Sequence, residues 1–253
     1  MKVAVLIYED AWFVLAATSL IRGLRSKFGE GCSIAFFVNN DTYKMLSFNL
    51  DIRVYSGFAF FEEHAFDIVI NYTESVEAAD FANYLTKERI LGFRLDSSRV
   101  VAVDESAQKL RNVLHDVEKT DKNILQLLYR VADMKWKGQG YNLNYFPRNK
   151  KNKHKTGLAI RNDTLKNFIN DNLHLTLTEL HPIPSKVEYL KKIDEINRCV
   201  NIITDDLFIL HAAISLRKNV QFIDTINLGY RIEFFGSGAH HRILNAIWQN
   251  NIQ

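Results

Sequence analysis

The stretch CVNIITDDLFILHAAISLRKNVQFID, residues 199–224, decides how the chain is read. Residues 199–204 are a short apolar and β-branched run with no room for a solvated face, which predicts a buried strand. Asp205 and Asp206 stand where that strand ends. Residues 210–216 are small and apolar, with His211 near their start, and predict a helix, while residues 220–223 predict the next strand. Strand, acidic turn, helix and strand make a βαβ unit, and open α/β sheets bind ligands outside the carboxyl ends of their strands. The acidic turn is therefore the expected place of the chemistry.

Working outward, the first 95 residues alternate in the same way. KVAVLIY (2–8) reads as a central parallel strand. Residues 12–28 follow with helical spacing: Phe13, Ala16, Ala17, Leu20, Leu24 and Phe28 share one face, with Arg22, Arg25 and Lys27 mostly outside it. Strands are predicted at 33–38, 52–55, 66–72 (FDIVINY) and 90–93, with helices at 39–46 and 78–85. This alternation predicts a doubly wound parallel sheet.

Residues 104–136 read as helical, and Gly138, Gly140 and Pro147 mark irregular chain. The run RNKKNKHK (148–155) carries five lysines and arginines in eight residues and predicts a solvated linker. A second alternation follows: a strand at 156–160, a short helix at 165–169, a strand at 173–180, an amphipathic helix at 188–197, and a terminal helix at 240–248. The fold class is α/β, with two Rossmann-like lobes of parallel sheet flanked by helices. The expected domains are 1–147, a linker at 148–155, and 156–253.

The βαβ stretch resembles the donor-site signature of the heptosyltransferase family of GT-B glycosyltransferases. There a strand ends in Asn-Asp-Thr-Gly, two more residues and His, followed by small residues and Gly-Lys-Pro-Val. Without a gap, Asp206 falls on the signature Asp, His211 on its His, Ala213 on a helix Ala, and Lys218 and Val220 on the next turn and strand. Leu207 and Phe208 replace its Thr-Gly. A glycine lets backbone approach a phosphate closely, and a phenylalanine does not.

The N-terminal half extends the resemblance. MKVAVLIYEDAWFVLAATSLIRGLR matches the family's strand, loop and helix in length, with Thr18, Arg22, Leu24 and Arg25 in register, and RILGF is similar to its Arg-x-x-Gly-Phe. The loop has changed: Glu9 and Trp12 stand at its glycines, and Phe13 stands where its catalytic Asp is expected.

The resemblance implies inverting, metal-independent transfer of a sugar, heptose or hexose, from a nucleotide-sugar donor to a lipid-linked saccharide or other glycan acceptor. The nucleotide sugar is a co-substrate, and no further cofactor is expected. Such a reaction requires a carboxylate that deprotonates the acceptor hydroxyl and groups that stabilise the departing diphosphate. Glu9 and Asp10 are the nearest carboxylates to the altered position; solvated loop carboxylates are the plain alternative. The resemblance assigns donor binding to Asp205, Asp206, His211 and Glu179, and acceptor binding to Thr18 and Arg22. Against this stand a core or capping role for His211, capping alone for Asp206, and a surface role for Glu179. A GT-B fold that has lost its chemistry and acts as a binding or assembly module is the alternative function.

Composition narrows the rest. With 47% hydrophobic and 24% charged residues in 253, the chain can bury a core and is not disordered. A net charge of +3 is too small to argue for nucleic acid, although residues 148–155 could attract anionic lipid headgroups. Cys32 and Cys199 lie far apart beside apolar runs and predict buried free thiols. His240 and His241 are adjacent and lack a third ligand, so no metal site is expected. The glycine-rich FFGSGAH (234–240) reads as a turn or a ligand-approach loop. No signal peptide is visible and no apolar run approaches the ~18 residues of a membrane span. A cytoplasmic protein, with at most peripheral contact at the inner face of a membrane, is expected.

Overall fold

Val3, Ala4, Val5 and Leu6 have no exposed surface, as a strand with neighbours on both edges and cover on both faces requires. They lie in β1 (Lys2–Leu6) of the structure, a computed structural model that describes residues 1–58, 61–163, 165, 167, 180–225, 228–230, 232 and 242–243. The chain divides into two compact units, Met1–Tyr145 with Gly229–Ile232, and Phe146–Leu228 with Glu233–Gln253.

In the first unit, β1 is followed by β2 (Ser33–Val38), β3 (Arg53–Ser56), β4 (Ile68–Asn71), β5 (Arg89–Asp96) and β6 (Arg99–Ala102). They lie in the order β3-β2-β1-β4-β5-β6, parallel except for the β5–β6 hairpin. The helices are α1 (Ala11–Ala17), α2 (Leu20–Phe28), α3 (Asn40–Leu46), α4 (Val76–Leu85), α5 (Glu105–Leu114) and α6 (Ile124–Val131). Side chains alternate across the strands, so Ala4 and Leu6 pack with Ala35, Phe37, Val69 and the α4 residues Ala82 and Leu85. Each large apolar side chain buried in this way stabilises the fold by roughly 1.5–3 kcal/mol. Asn39, Ser75, Asp104 and Asn123 begin α3, α4, α5 and α6 by accepting backbone N–H groups of the first turn.

Two local features depart from the sequence reading. The helix expected over 12–28 is two helices, because the Thr18 hydroxyl turns back to donate to the Leu15 carbonyl at 2.7 Å and also accepts the Asn142 N–H. The hairpin strand β6 had no sequence signal. Its turn residues Ser97 and Ser98 both take positive φ, 46° and 75°, where Asn or Gly is the usual choice.

In the second unit, β7 (His154–Ala159), β8 (Leu180–Pro182), β9 (Cys199–Thr204), β10 (Asn219–Phe222) and β11 (Arg242–Ile243) lie in the order β11-β10-β9-β7-β8, with each described pairing parallel. The helices α7 (Tyr189–Asn197) and α8 (Leu207–Ser215) precede and follow β9. Gly157 lets β7 sit tightly in this sheet, since a β-carbon there would stand 2.8 Å from Cys199 Sγ. Both cysteines are buried and free.

The basic run 148–155 is tied into the second unit. The Arg148 N–H donates to Asp194, the Asn149 side chain donates to Glu195, and the buried Lys218 ammonium donates to Asn152. Its last two residues, His154 and Lys155, begin β7, and the His154 ring stacks on His181 with centroids 4.1 Å apart. The sequence reading began this strand at Thr156, because cationic residues hid the strand's first two positions. Most of the strand expected at 173–180, the FFGSGAH loop, His240 and His241 lie outside the described residues, as does most of the short helix at 165–169; within the terminal helix expected at 240–248, the two described residues, Arg242 and Ile243, are instead strand β11. No helix among the described residues is long and apolar enough to cross a membrane.

Candidate functional site

Each unit has a point where the strand order reverses direction, and each brings charged side chains together there. In the first unit that point is between β1 and β4, whose last residues Leu6 and Asn71 are register partners. The Tyr8 N–H donates to Thr73 Oγ1 at 2.8 Å, joining the two strand ends. The buried Asn71 donates to the Phe93 carbonyl and accepts the Thr73 N–H, fixing the chain beyond β4. Beyond these ends lies a pocket of about 370 Å³ lined by Glu9, Asp10, Trp12, Phe13, Thr73 and Glu74, among others.

Glu9 is half-buried in this pocket. Burial pushes its carboxyl above the ordinary range; the Thr73 hydrogen bond opposes this, the Glu74 and Asp10 charges add to it, and His115 opposes it. Glu74 itself is held by Arg111 Nε at 2.6 Å and His115 Nε2 at 3.3 Å, while the Arg111 guanidinium lies 4.8 Å over the Phe93 ring. Asp10 stands at the start of α1, exposed, and its side chain makes no capping hydrogen bond. Phe13 is a core residue, 1% exposed and edge-on to Tyr72. Trp12 stacks on Tyr230 at 5.9 Å.

Thr18 and Arg22 do not line this pocket. Thr18 is buried at the α1–α2 junction, and Arg22 lies on the exposed face of α2.

In the second unit the order reverses between β7 and β9, whose ends pair Ala159 with Thr204. The Thr204 hydroxyl donates to the Ala159 carbonyl and accepts the Asp206 N–H, at 2.8 and 2.9 Å. Asp205 accepts the N–H groups of Arg161 and Asn162, 2.8 and 3.2 Å away. Asp206 is buried and caps α8: Oδ1 accepts from the Phe208 and Ile209 N–H groups, and Oδ2 accepts from Arg161 Nε at 2.8 Å. The two aspartates and Arg161 thus form one cluster at the strand ends, beside the partial positive charge of a helix start.

His211 lies one turn further into α8 and has no exposed surface; burial pulls its imidazole down to about 3, so the ring is neutral near pH 7. It sits among the apolar residues of its helix. Glu179 lies outside the described residues. Sequence reasoning missed Thr73, Glu74, Arg111, His115 and Arg161. Thr73, Glu74 and Arg161 are the first polar or charged residues after apolar strand runs, which is the signal that could have found them. No group of three or more His, Cys, Asp or Glu side chains among the described residues is placed to hold a metal ion.

No protein-family model matches this sequence, and neither does any curated protein. Solved structures do share its fold. The Escherichia coli ADP-heptose LPS heptosyltransferase II superposes with a TM-score of 0.60 at 11% identity, over 95% of this chain and 93% of that one. A glycosyl transferase family 9 protein from Veillonella parvula gives 0.59 at 12%, over 99% and 87%. The E. coli heptosyltransferase WaaC with ADP-2-deoxy-2-fluoro heptose gives 0.57 at 11%, over 92% and 93%. The chain has the α/β fold of the GT-B heptosyltransferases, with parallel-dominated sheets flanked by helices.

Proposed function

We propose that the protein is a glycosyltransferase that moves a sugar from a nucleotide-sugar donor to a hydroxyl of a glycan or lipid-linked saccharide. Glu9 is the base. A half-buried carboxyl with a raised pKa, at the carboxyl ends of β1 and β4 and in a pocket, is the observation that carries this reading. Its burial disfavours the charged form, so the carboxylate gains by taking a proton from an attacking hydroxyl.

In the reaction the acceptor oxygen forms a bond to the anomeric carbon as the bond from that carbon to the diphosphate breaks. The hydroxyl proton passes to Glu9 and the electron pair leaves with the nucleoside diphosphate. A single displacement inverts the anomeric centre and needs no metal, provided that protein groups stabilise the departing charge. Asp205, Asp206 and Arg161 shape the turn of the second unit that takes the donor. The solved neighbour with an ADP-heptose analogue supports a nucleotide sugar as co-substrate.

The test is release of nucleoside diphosphate from a panel of ADP-, GDP- and UDP-linked sugars, with and without saccharide and glycolipid acceptors. Acceptor-dependent release from one donor supports the proposal. Tight binding of a nucleotide sugar with no release under any acceptor would favour a binding module, and no binding at all would overturn both readings.

A further inference from the structure

From the carboxyl end of β1, a row of aromatic rings runs across the first unit to the exposed face of α4. The Tyr8 and Phe58 centroids are 4.8 Å apart, those of Phe58 and Phe81 5.4 Å, and those of Phe81 and Tyr84 6.3 Å, the last pair stacked. Tyr8 and Phe81 are half-buried, but Phe58 is 46% exposed and Tyr84 42%. Backbone contacts hold the row in place. The Gly57 N–H donates to the Val38 carbonyl and the Gly57 carbonyl accepts the Tyr8 hydroxyl, both at 2.9 Å, while the Tyr84 hydroxyl donates to the Phe61 carbonyl at 2.8 Å. Rings fixed in this way lose little freedom when a ligand covers them.

Exposed apolar surface rimmed by polar groups marks a contact site, and the rim says what kind of ligand it takes. Glu62, Glu63, Glu77 and Asp80 are exposed on the segments that carry Phe58 and Tyr84, and the sequence holds no lysine or arginine between Arg53 and Lys87. Such a border repels anionic lipid headgroups and nucleic acid, so the rings suit an uncharged ligand. A sugar ring is one: its C–H face lies on an aromatic face while its hydroxyls stay hydrated. The row is also continuous with the pocket beyond β1, because Tyr8 precedes Glu9 and its N–H is bonded to Thr73.

We propose that Tyr8, Phe58, Phe81 and Tyr84 form a saccharide-binding track of the first unit, on which the sugars of a neutral glycan stack. Its use by the acceptor, with the reacting sugar at Glu9 and the preceding sugars along the rings, rests on the glycosyltransferase reading above; the track itself does not. An acceptor held in this way is longer than one sugar and carries no carboxylate or phosphate on the sugars that meet the rings.

The test measures binding of the whole chain to an array of neutral and acidic oligosaccharides of increasing length, followed by calorimetry with the tightest neutral one. Longer neutral glycans should bind more tightly than short or acidic ones. Phe58→Ala and Tyr84→Ala should each weaken binding about three- to tenfold. Tyr84→Phe keeps the ring and should bind as the wild type does, and Leu50→Ser, which removes a 91% exposed side chain outside the row, should change nothing. If the alanine variants do not fold, the ring NMR signals of the wild type give a second reading, with those of Phe58 and Tyr84 expected to shift on adding the glycan. Binding to no neutral glycan, a preference for acidic ones, equal binding by folded alanine variants, or unshifted ring signals would overturn the proposal. Phe58-dependent glycan binding without sugar transfer from any donor would uphold the track and sink the glycosyltransferase reading. Transfer to long and short neutral acceptors with the same kcat/KM in wild type and Phe58→Ala would do the reverse.

Discussion

Arg161 and Asp206, 45 residues apart in sequence, meet at the ends of neighbouring strands with Nη2 and Oδ2 2.6 Å apart. The other oxygen of Asp206 holds the first turn of α8. Because Asp206 is buried and Arg161 is mostly exposed, the carboxylate matters to the fold through its cap more than through its ion pair. Asp206→Ala should cost about 1–2 kcal/mol, the size of a lost N-cap, measured from the urea midpoint. Asp206→Asn keeps the accepting oxygen and should cost clearly less. Equal losses for both would show that capping is not what Asp206 contributes.

Gly92 takes φ +85°, and a β-carbon there would fall on the Asn71 carbonyl oxygen. The backbone cannot yield, because the Asn71 side chain donates to the Phe93 carbonyl across the same pair of strands. Gly92→Ala should therefore destabilise the first unit by about 3 kcal/mol or more, combining left-handed strain with the clash. Thermal or urea denaturation decides it, and a loss below about 1 kcal/mol would contradict the close approach of β4 and β5.

The alternation of strands and helices was legible because each apolar run is a buried strand or the buried face of a helix. Residues 2–8, 33–38 and 199–204 read as strands for the reason that makes them buried in the sheets. Long-range relationships were not legible. Nothing near Arg161 announces Asp206, and two serines hid the β5–β6 turn. Glu9 and Asp10 looked equivalent in sequence; only burial distinguishes them. Alignment with the family signature pointed to His211 as a ligand, although LFILHAAIS is apolar on every side, the pattern of a helix buried all round.

That burial gives His211 a measurable pH signature. In the native protein the ring stays neutral down to about pH 3, while in the unfolded chain it takes up a proton near 6.5. Between those values the unfolded state binds more protons, so stability is full above pH 6.5 and falls as the pH drops. The loss from this residue should reach about 2 kcal/mol at pH 5. Urea denaturation of the wild type and His211→Leu at pH 7 and pH 5 measures it; the variant should lose less on acidification. Identical losses would mean that His211 is protonated in the native state.

Glu9 titrates in the opposite sense. Its carboxyl is pushed up by burial, so the proposed base is protonated at a higher pH than an ordinary glutamate. The acid limb of kcat/KM should lie above the usual carboxylate range, and Thr73→Val should move it further upward by removing a hydrogen bond that favours the charged form. A limb at the ordinary value, unmoved by Thr73→Val, would place the essential base elsewhere.

Release of nucleoside diphosphate in single-turnover reactions, with donor and acceptor saturating, tests the assignment most directly when wild type, Glu9→Gln and Asp10→Asn are compared. Glu9→Gln is predicted to slow release by about 10²–10⁴-fold while Asp10→Asn leaves it unchanged. Full-rate release by Glu9→Gln, or a loss confined to Asp10→Asn, would contradict the account.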